Sequence, residues 1–396
     1  MASERALVAA SVLRWARKSR GLSLADAARL VHVSEERLAA WEDEADESAP
    51  TVKQLRRLAG VYARPLGVFY FSSPPQEEEL VADFRRVPDA EAAARSPALR
   101  LEIRLAIERR QEAIELAAAI GEDPPRLGVQ ARLDEAPEPL AARLRERLSV
   151  SLVQQRRWGS DREAFNAWRD ALEARGVLVF QTGGTARYRV EPEEVRGFSI
   201  AEHPWPVVVA NGREAPVGRI FTLLHELAHV ALRRPGLCDL HEQPRATAEA
   251  DRIEAFCNRV AGAVLVPSAA LEAEPTVQRH GSAPRWRDDE LRDIARRFWV
   301  SQEVVLRRLV ILERASLDFY RAWRAERARH PQPERESGGF LRPPDLVLKR
   351  SGHLFPRLVF RAYRERRIPL SDVVELLSVG PQHFEKTERG AFDGGH

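Results

Sequence analysis

Short β-type apolar runs occupy only one stretch of this chain. They lie between Gly176 and Gly212, as Val177 to Phe180, Val195 to Ala201 and Val207 to Ala210, punctuated by Gly183-Gly184 and Asn211-Gly212. Helical periodicity dominates elsewhere and returns at once, at Gly218 to Arg234, ended by Pro235-Gly236, and at Thr247 to Val266, ended by Pro267. These limits predict a mainly α chain with one small sheet of three or more strands, joined to the helices that follow it in an α+β domain.

At 396 residues the length fits two to three domains. From Ser11 to Phe71 short amphipathic helices alternate with tight turns. Ser72-Ser73-Pro74-Pro75 and the acidic run Glu77 to Glu79 then close a first unit, residues 1–72. A long helix from about Pro97 to Ile120 and a proline-containing connector from Pro124 to Pro139 make residues 73–155 a helical linker region. The α+β domain is expected at 156–329. The segment His330 to Pro344 leads to a short helical unit, about Leu354 to Thr387, within residues 330–396.

Composition narrows the chemistry. Two cysteines, Cys238 and Cys257, exclude a disulfide framework and a cysteine-only zinc site and suit a reducing cytosol, so a metal must lean on histidine and carboxylate. The N-terminus lacks the ordered regions of a signal peptide, and the longest apolar runs fall far short of the roughly 20 residues of a membrane span. A cytoplasmic protein without a membrane partner is expected.

Within the predicted helix, His225-Glu226-Leu227-Ala228-His229 puts two imidazoles one turn apart, with Cβ atoms about 6 Å from each other, so both can reach one tetrahedral ion. Glu226 projects beside that ion and can take a proton from a metal-bound water, the arrangement of zinc proteases. A third ligand should come from the next helix, where Glu249, Asp251 and Glu254 all stand as candidates. Cys238 and Cys257 could also ligate, but a soft third ligand favours a closed structural site, and Cys257 reads as a buried apolar filler. The Val207 to Ala210 strand, taken as a sheet edge, is expected to pair with an extended peptide substrate.

Several linked stretches resemble the ImmA/IrrE metallopeptidases: Val195-Arg-Gly-Phe-Ser199, Pro206-Val-Val-Val-Ala-Asn211, Arg219 to His229, Ile253-Glu-Ala-Phe-Cys-Asn258 and Leu265-Val-Pro267. The resemblance covers roughly residues 175 to 312. It implies a zincin-like fold, zinc on His225, His229 and Glu254 (with Mn2+ able to replace it in vitro), and a catalytic Glu226. Asn258, one turn beyond Glu254, takes a position usual for the family and would steady a ligand from outside the coordination sphere. Glu249 remains a weaker third ligand.

Near the N-terminus, Leu24-Ala-Asp-Ala-Ala-Arg-Leu-Val31, a turn at His32-Val33, and Ser34-Glu-Glu-Arg-Leu-Ala-Ala-Trp-Glu42 predict two helices capped by Ser23 and Ser34. Leu24, Ala27, Ala28, Leu30, Val31, Leu38 and Trp41 form the expected core. Over residues 9–70 this resembles the Cro/C1-type (XRE) helix-turn-helix, and Asp83-Phe84-Arg85 matches a stretch common where that domain precedes the peptidase. The resemblance implies double-stranded DNA as a partner, pairing of two copies on half-sites, and contacts from the helix near Ser34, Glu35 and Arg37, with Arg17 and Lys18 on phosphates. Seven acids between Val33 and Glu47, against the single Arg37, set this helix apart from an ordinary DNA reader and leave protein docking as the other use of the fold.

One spacing recurs. Leu24-x-Asp26 with Val33-Ser34, Leu291-x-Asp293 with Val300-Ser301, and Leu370-x-Asp372 with Val379-Gly380 share offsets of two, nine and ten residues, the rhythm of helix, turn and helix. Residues 285–396 carry 23 Lys+Arg against 17 Asp+Glu, a local excess inside a chain whose net charge is only +3. The overall expectation is a DNA-binding regulatory zinc endopeptidase that cleaves a partner repressor protein, in stress response or mobile-element control. Its alternative is a non-proteolytic regulator whose metal is structural or sensory.

Overall fold

The computed structural model describes residues 5–46, 48–62, 64, 66–75, 96–183, 189–234, 236–238, 248–281, 284–329 and 341–393, with backbone alone for 236–238. Glu47, the run Glu77 to Glu79, Asp83-Phe84-Arg85, Gly184 and most of the 330–344 segment lie outside the described residues. The chain divides into two compact units, Met1–Leu105 and Ala106–His396. No helix among the described residues is long and apolar enough to cross a membrane.

In the first unit, α1 (Ala10–Ser19), α2 (Leu24–Val31), α3 (Glu35–Trp41) and α4 (Val52–Tyr62) precede a 3-10 turn at Leu66–Tyr70. Ser23 caps α2 by accepting from the Asp26 amide at 3.0 Å, and Ser34 caps α3 by accepting from the Arg37 amide. Between them His32 adopts the left-handed conformation, φ 58°, that turns one helix into the next. Ala27, Ala28, Val31, Leu38 and Trp41 join Val12, Leu13, Leu55 and Tyr62 in the core, while Leu24 and Leu30 pack at its margin.

The second helical stretch comprises α5 (Pro97–Ala119), α6 (Pro137–Leu148), α7 (Leu152–Arg157) and α8 (Asp161–Glu173). Four strands come next: β1 (Leu178–Gln181), β2 (Gly197–Ile200), β3 (Val207–Ala210) and, beyond α9 (Pro216–Leu232), β4 (Gly236–Cys238). Their order is β1-β3-β2-β4, with β1 parallel to β3 and the other pairs antiparallel. The strand β3 is therefore central. Its all-apolar Val-Val-Val-Ala is buried throughout, as a strand covered on both faces must be. The expected peptide-binding edge at Val207 to Ala210 is corrected by this pairing, because both of its edges are spent on β1 and β2. The short β4, unforeseen after the Pro235-Gly236 stop, becomes an edge.

The α9 helix lies at the centre of this unit, packed on β2 and β3 and against α8 and α10 (Ala248–Leu265). Pro216 opens it and Arg233, in the left-handed conformation, ends it. Gly197 lets β2 approach closely: a Cβ there would stand 2.4 Å from Thr222 Cγ2 and 2.7 Å from the Val209 carbonyl oxygen. The remaining helices are α11 (Ser268–Glu272), α12 (Pro275–His280), α13 (Asp288–Phe298), α14 (Gln302–Ile311), α15 (Leu317–Arg329), α16 (Pro343–Ser351), α17 (Leu354–Arg364), α18 (Leu370–Leu377) and α19 (Phe384–Asp393).

The recurring spacing has a common structural result. Eight residues after each leucine, His32, Trp299 and Ser378 all take the left-handed conformation, with φ of 58°, 55° and 50°. The helices beyond these turns differ in burial. The first copy leaves Ser34, Glu35, Glu36 and Arg37 exposed on its second helix, whereas α14 buries Val304, Val305, Leu306, Arg308 and Leu309. Arg308 there donates to the Val266 carbonyl at 2.9 Å and to Ser268, so the second copy buttresses the end of α10.

Replacing Gly197 by Ala should lower unfolding free energy by about 1–3 kcal/mol, because β2 or Thr222 must shift to admit the methyl group. Urea denaturation of the two proteins checks this, and an unchanged midpoint would refute the close packing of β2 on α9.

Candidate metal centre

His225 and His229 lie one turn apart on α9, and α10 brings Glu254 to face them. Glu254 Oε2 is 3.2 Å from His225 Nε2 and Glu254 Oε1 is 3.2 Å from His229 Nε2, while the two Nε2 atoms are 3.1 Å apart. Ligands about 2.0–2.1 Å from one tetrahedral zinc stand roughly 3.3 Å from each other, so the triangle already has the size of a coordination face. Both histidines are buried and Glu254 is 15% exposed, which leaves the carboxylate side as the approach to the site. Of the other candidates, Glu249 is exposed and 3.5 Å from Arg234, and neither it nor Asp251 belongs to the cluster.

Orientation comes from the same helix. Asn258 Oδ1 is 3.1 Å from His225 Nδ1, so the ring donates N–H to the amide oxygen and keeps the Nε2 lone pair for a cation. Cys257, fully buried, lies beside His229 and interacts with it. Burial alone pushes the His229 pKa down, but Cys257, Glu254 and Glu226 outweigh it and raise the value to about 10. Burial opposes ionisation of Glu254 too, yet hydrogen bonds from His225 and His229 overcome it and hold its carboxyl far below the usual range. Without metal, a proton thus takes the place of the cation among these three groups.

Glu226, next to His225 on α9, interacts electrostatically with both histidines and with Glu254. It is wholly buried, and burial raises its pKa above the ordinary carboxylate value despite both histidines and a hydrogen bond from Ser199. Ser199, on β2, donates to Glu226 Oε2 at 2.7 Å, and Glu226 Oε1 has no hydrogen-bond partner among the described residues. The five-residue motif gave no sign of Ser199, since only strand pairing brings it there.

A second cluster, Asp170, Glu173 and His353, has similar donor types. Its geometry serves another end. His353 Nδ1 donates to Asp170 at 2.9 Å and its Nε2 lies 3.3 Å from an Arg169 nitrogen, a guanidinium that repels any cation. Glu173, buried, accepts from the backbone amides of His353 and Leu354 at 3.0–3.1 Å and so caps the start of α17.

On the helix-turn-helix, Ser34, Glu35, Arg37 and Lys18 are exposed. Arg17 is not: it is buried and gripped by Glu42 through Nε at 2.8 Å and Nη2 at 2.7 Å, with a further bond to the Leu22 carbonyl. The expected phosphate contact from Arg17 is corrected accordingly, since a guanidinium consumed by an internal carboxylate cannot reach DNA. Glu42 leaves the acidic surface for the same reason. Arg20, also buried, donates to the Pro97 carbonyl.

Comparison with known proteins identifies the two stretches of chain in which these residues lie. Residues 173–310 match the Peptidase_M78 family, described as an IrrE N-terminal-like domain, and residues 13–69 match a helix-turn-helix family. No curated protein and no solved structure matches the chain. The chain therefore carries, in order, an XRE-type helix-turn-helix domain and an IrrE-like domain of the M78 peptidase family.

Proposed function

We propose that this protein is a DNA-binding, zinc-dependent endopeptidase of the cytoplasm that cleaves a partner transcriptional repressor. The observation that carries the reading is the convergence of His225, His229 and Glu254 on one point with the buried carboxylate of Glu226 beside it. Three protein ligands leave a fourth position for water, as a catalytic rather than a closed structural site requires.

A zinc ion held there supplies Lewis acidity, polarising a carbonyl and bringing the pKa of water towards 7. Glu226 Oε1, without a hydrogen-bond partner among the described residues, would receive a proton from that water and pass it to the leaving amine. Asn258 holds the His225 ring in the tautomer that ligates. Burial of Glu226 raises its pKa above the ordinary carboxylate value, which favours a carboxyl group that both takes and gives a proton. DNA binding rests on the helix-turn-helix domain, with Lys18 on the phosphates and α3 near the bases. The exposed acids of α3 and the loop after it, Glu35, Glu36, Asp43, Glu44 and Asp46, keep such binding weak and dependent on salt.

Glu226→Gln should retain zinc and lower cleavage of a purified repressor by about 10²–10⁴-fold. Regulatory output that persists unchanged in this variant would favour a metal of purely structural or sensory use. Asn258→Ala should weaken zinc binding by about 10–100-fold without displacing any ligand, as read by competition with a chelator. His229, protonated below about pH 10 in the metal-free protein, must lose its proton to ligate. Zinc affinity should therefore fall about tenfold per pH unit on acidification for each proton displaced, and calorimetry in buffers of different ionisation enthalpy counts those protons.

A further inference from the structure

Along β2, Gly197 and Ser199 alternate with Phe198 and Ile200, so the first pair shares the face turned to α9. The missing side chain at Gly197 draws the strand close, since a Cβ there would also lie 3.6 Å from Glu226 Cγ. Two residues on, the Ser199 hydroxyl meets Glu226 Oε2 at 2.7 Å, a short charge-assisted distance with both side chains wholly buried. Pairing with Val208 on β3 and Gly236 on β4 holds the backbone of Ser199 from both sides.

We infer that Ser199 is a positioning residue for Glu226: its hydroxyl clamps Oε2 so that Oε1 is the oxygen presented to the metal-side water. The inference rests on the reading of Glu226 as the base. A carboxylate held only by its own torsions could turn either oxygen, or neither, towards the reacting water. One hydroxyl on a strand fixed from both sides removes that freedom, which is the pre-organisation proton transfer needs. Oε1, which has no hydrogen-bond partner among the described residues, and the bonded Oε2 are the two halves of this arrangement.

The test uses the full chain loaded with cobalt and acetohydroxamate as probe, a chelator that needs the carboxylate beside the metal as its hydrogen-bond partner. Its binding is followed by the visible bands of cobalt, independently of any cleavage. Ser199→Ala should weaken the probe about fivefold or more, with cobalt stoichiometry unchanged. Glu226→Gln should weaken it further, and adding Ser199→Ala to that variant should change affinity by less than about twofold. Ser199→Cys, which keeps the volume, replaces Ser199→Ala if the latter melts early, and the same weakening is expected. Wild-type affinity in the Ser199 variants, or an equal loss with and without Glu226→Gln, would overturn the positioning role alone. Wild-type affinity in Glu226→Gln itself would overturn the reading of Glu226 as the base, and the inference with it.

Discussion

Two imidazoles and a carboxylate held within 3.2 Å of one another, largely out of water, are costly unless something positive sits among them. That electrostatic demand organises the second unit. It is met by the pairing of α9 with α10, which sets Glu254 opposite the two histidines and Asn258 one turn on, behind the His225 ring. The helices in turn need walls that do not yield. One wall is the sheet, drawn in at Gly197; another is α14, whose Arg308 ties the end of α10 through Val266 and Ser268. The three donors keep this spacing because the helices that carry them are packed between these supports.

The range of each interaction determines how much of this is legible in the sequence. The histidine pair can be read directly, because i,i+4 spacing along one helix fixes their common side, and Glu226 is read from the motif that contains it. Glu254 and Asn258 sit on a different helix, and spacing alone leaves Glu249 and Asp251 level with Glu254; only the family resemblance separates them. Ser199 is invisible to spacing, because its distance from Glu226 depends on the order and register of strands. The same gap explains the error over β3. A valine-rich run before α9 gives no sign that β1 pairs with it in parallel on its far side, which makes it central rather than marginal. The short β4 escapes detection because Pro235-Gly236 ends a helix as readily as it introduces a strand.

The first unit shows how charge in a sequence misleads until partners are known. By sequence, Arg17 and Glu42 belong to opposing surface patches, one for phosphate and one against it. They are instead one buried ion pair with three nitrogen-to-oxygen contacts, and both leave the surface together. The Tyr62 hydroxyl beside them is tilted away from ionisation, chiefly by its own burial and then by the Glu42 charge, with Arg17 opposing. What remains outside on and after α3 is a cluster of acids with Arg37, while Lys18, Arg29, Lys53, Arg56 and Arg57 are exposed on other elements. The α3 region thus carries a net sign that opposes phosphates, and any affinity for them must come from the other elements.

The thrice-repeated leucine, aspartate and valine spacing separates local from tertiary information most clearly. Each copy produces the same left-handed residue at the same offset, so the turn is dictated by short-range sequence. The use of the turn is not. In the first copy the second helix stays open to solvent; in the second it is sunk among α10, α13 and α15; in the third Gly380 offers no capping side chain, and a 3-10 turn at Pro381–His383 replaces the first helical turn. A motif that specifies a corner therefore carries no message about DNA by itself. Only the exposure of residues 34–37 distinguishes the copy that can meet a partner from the copy that buttresses the end of α10.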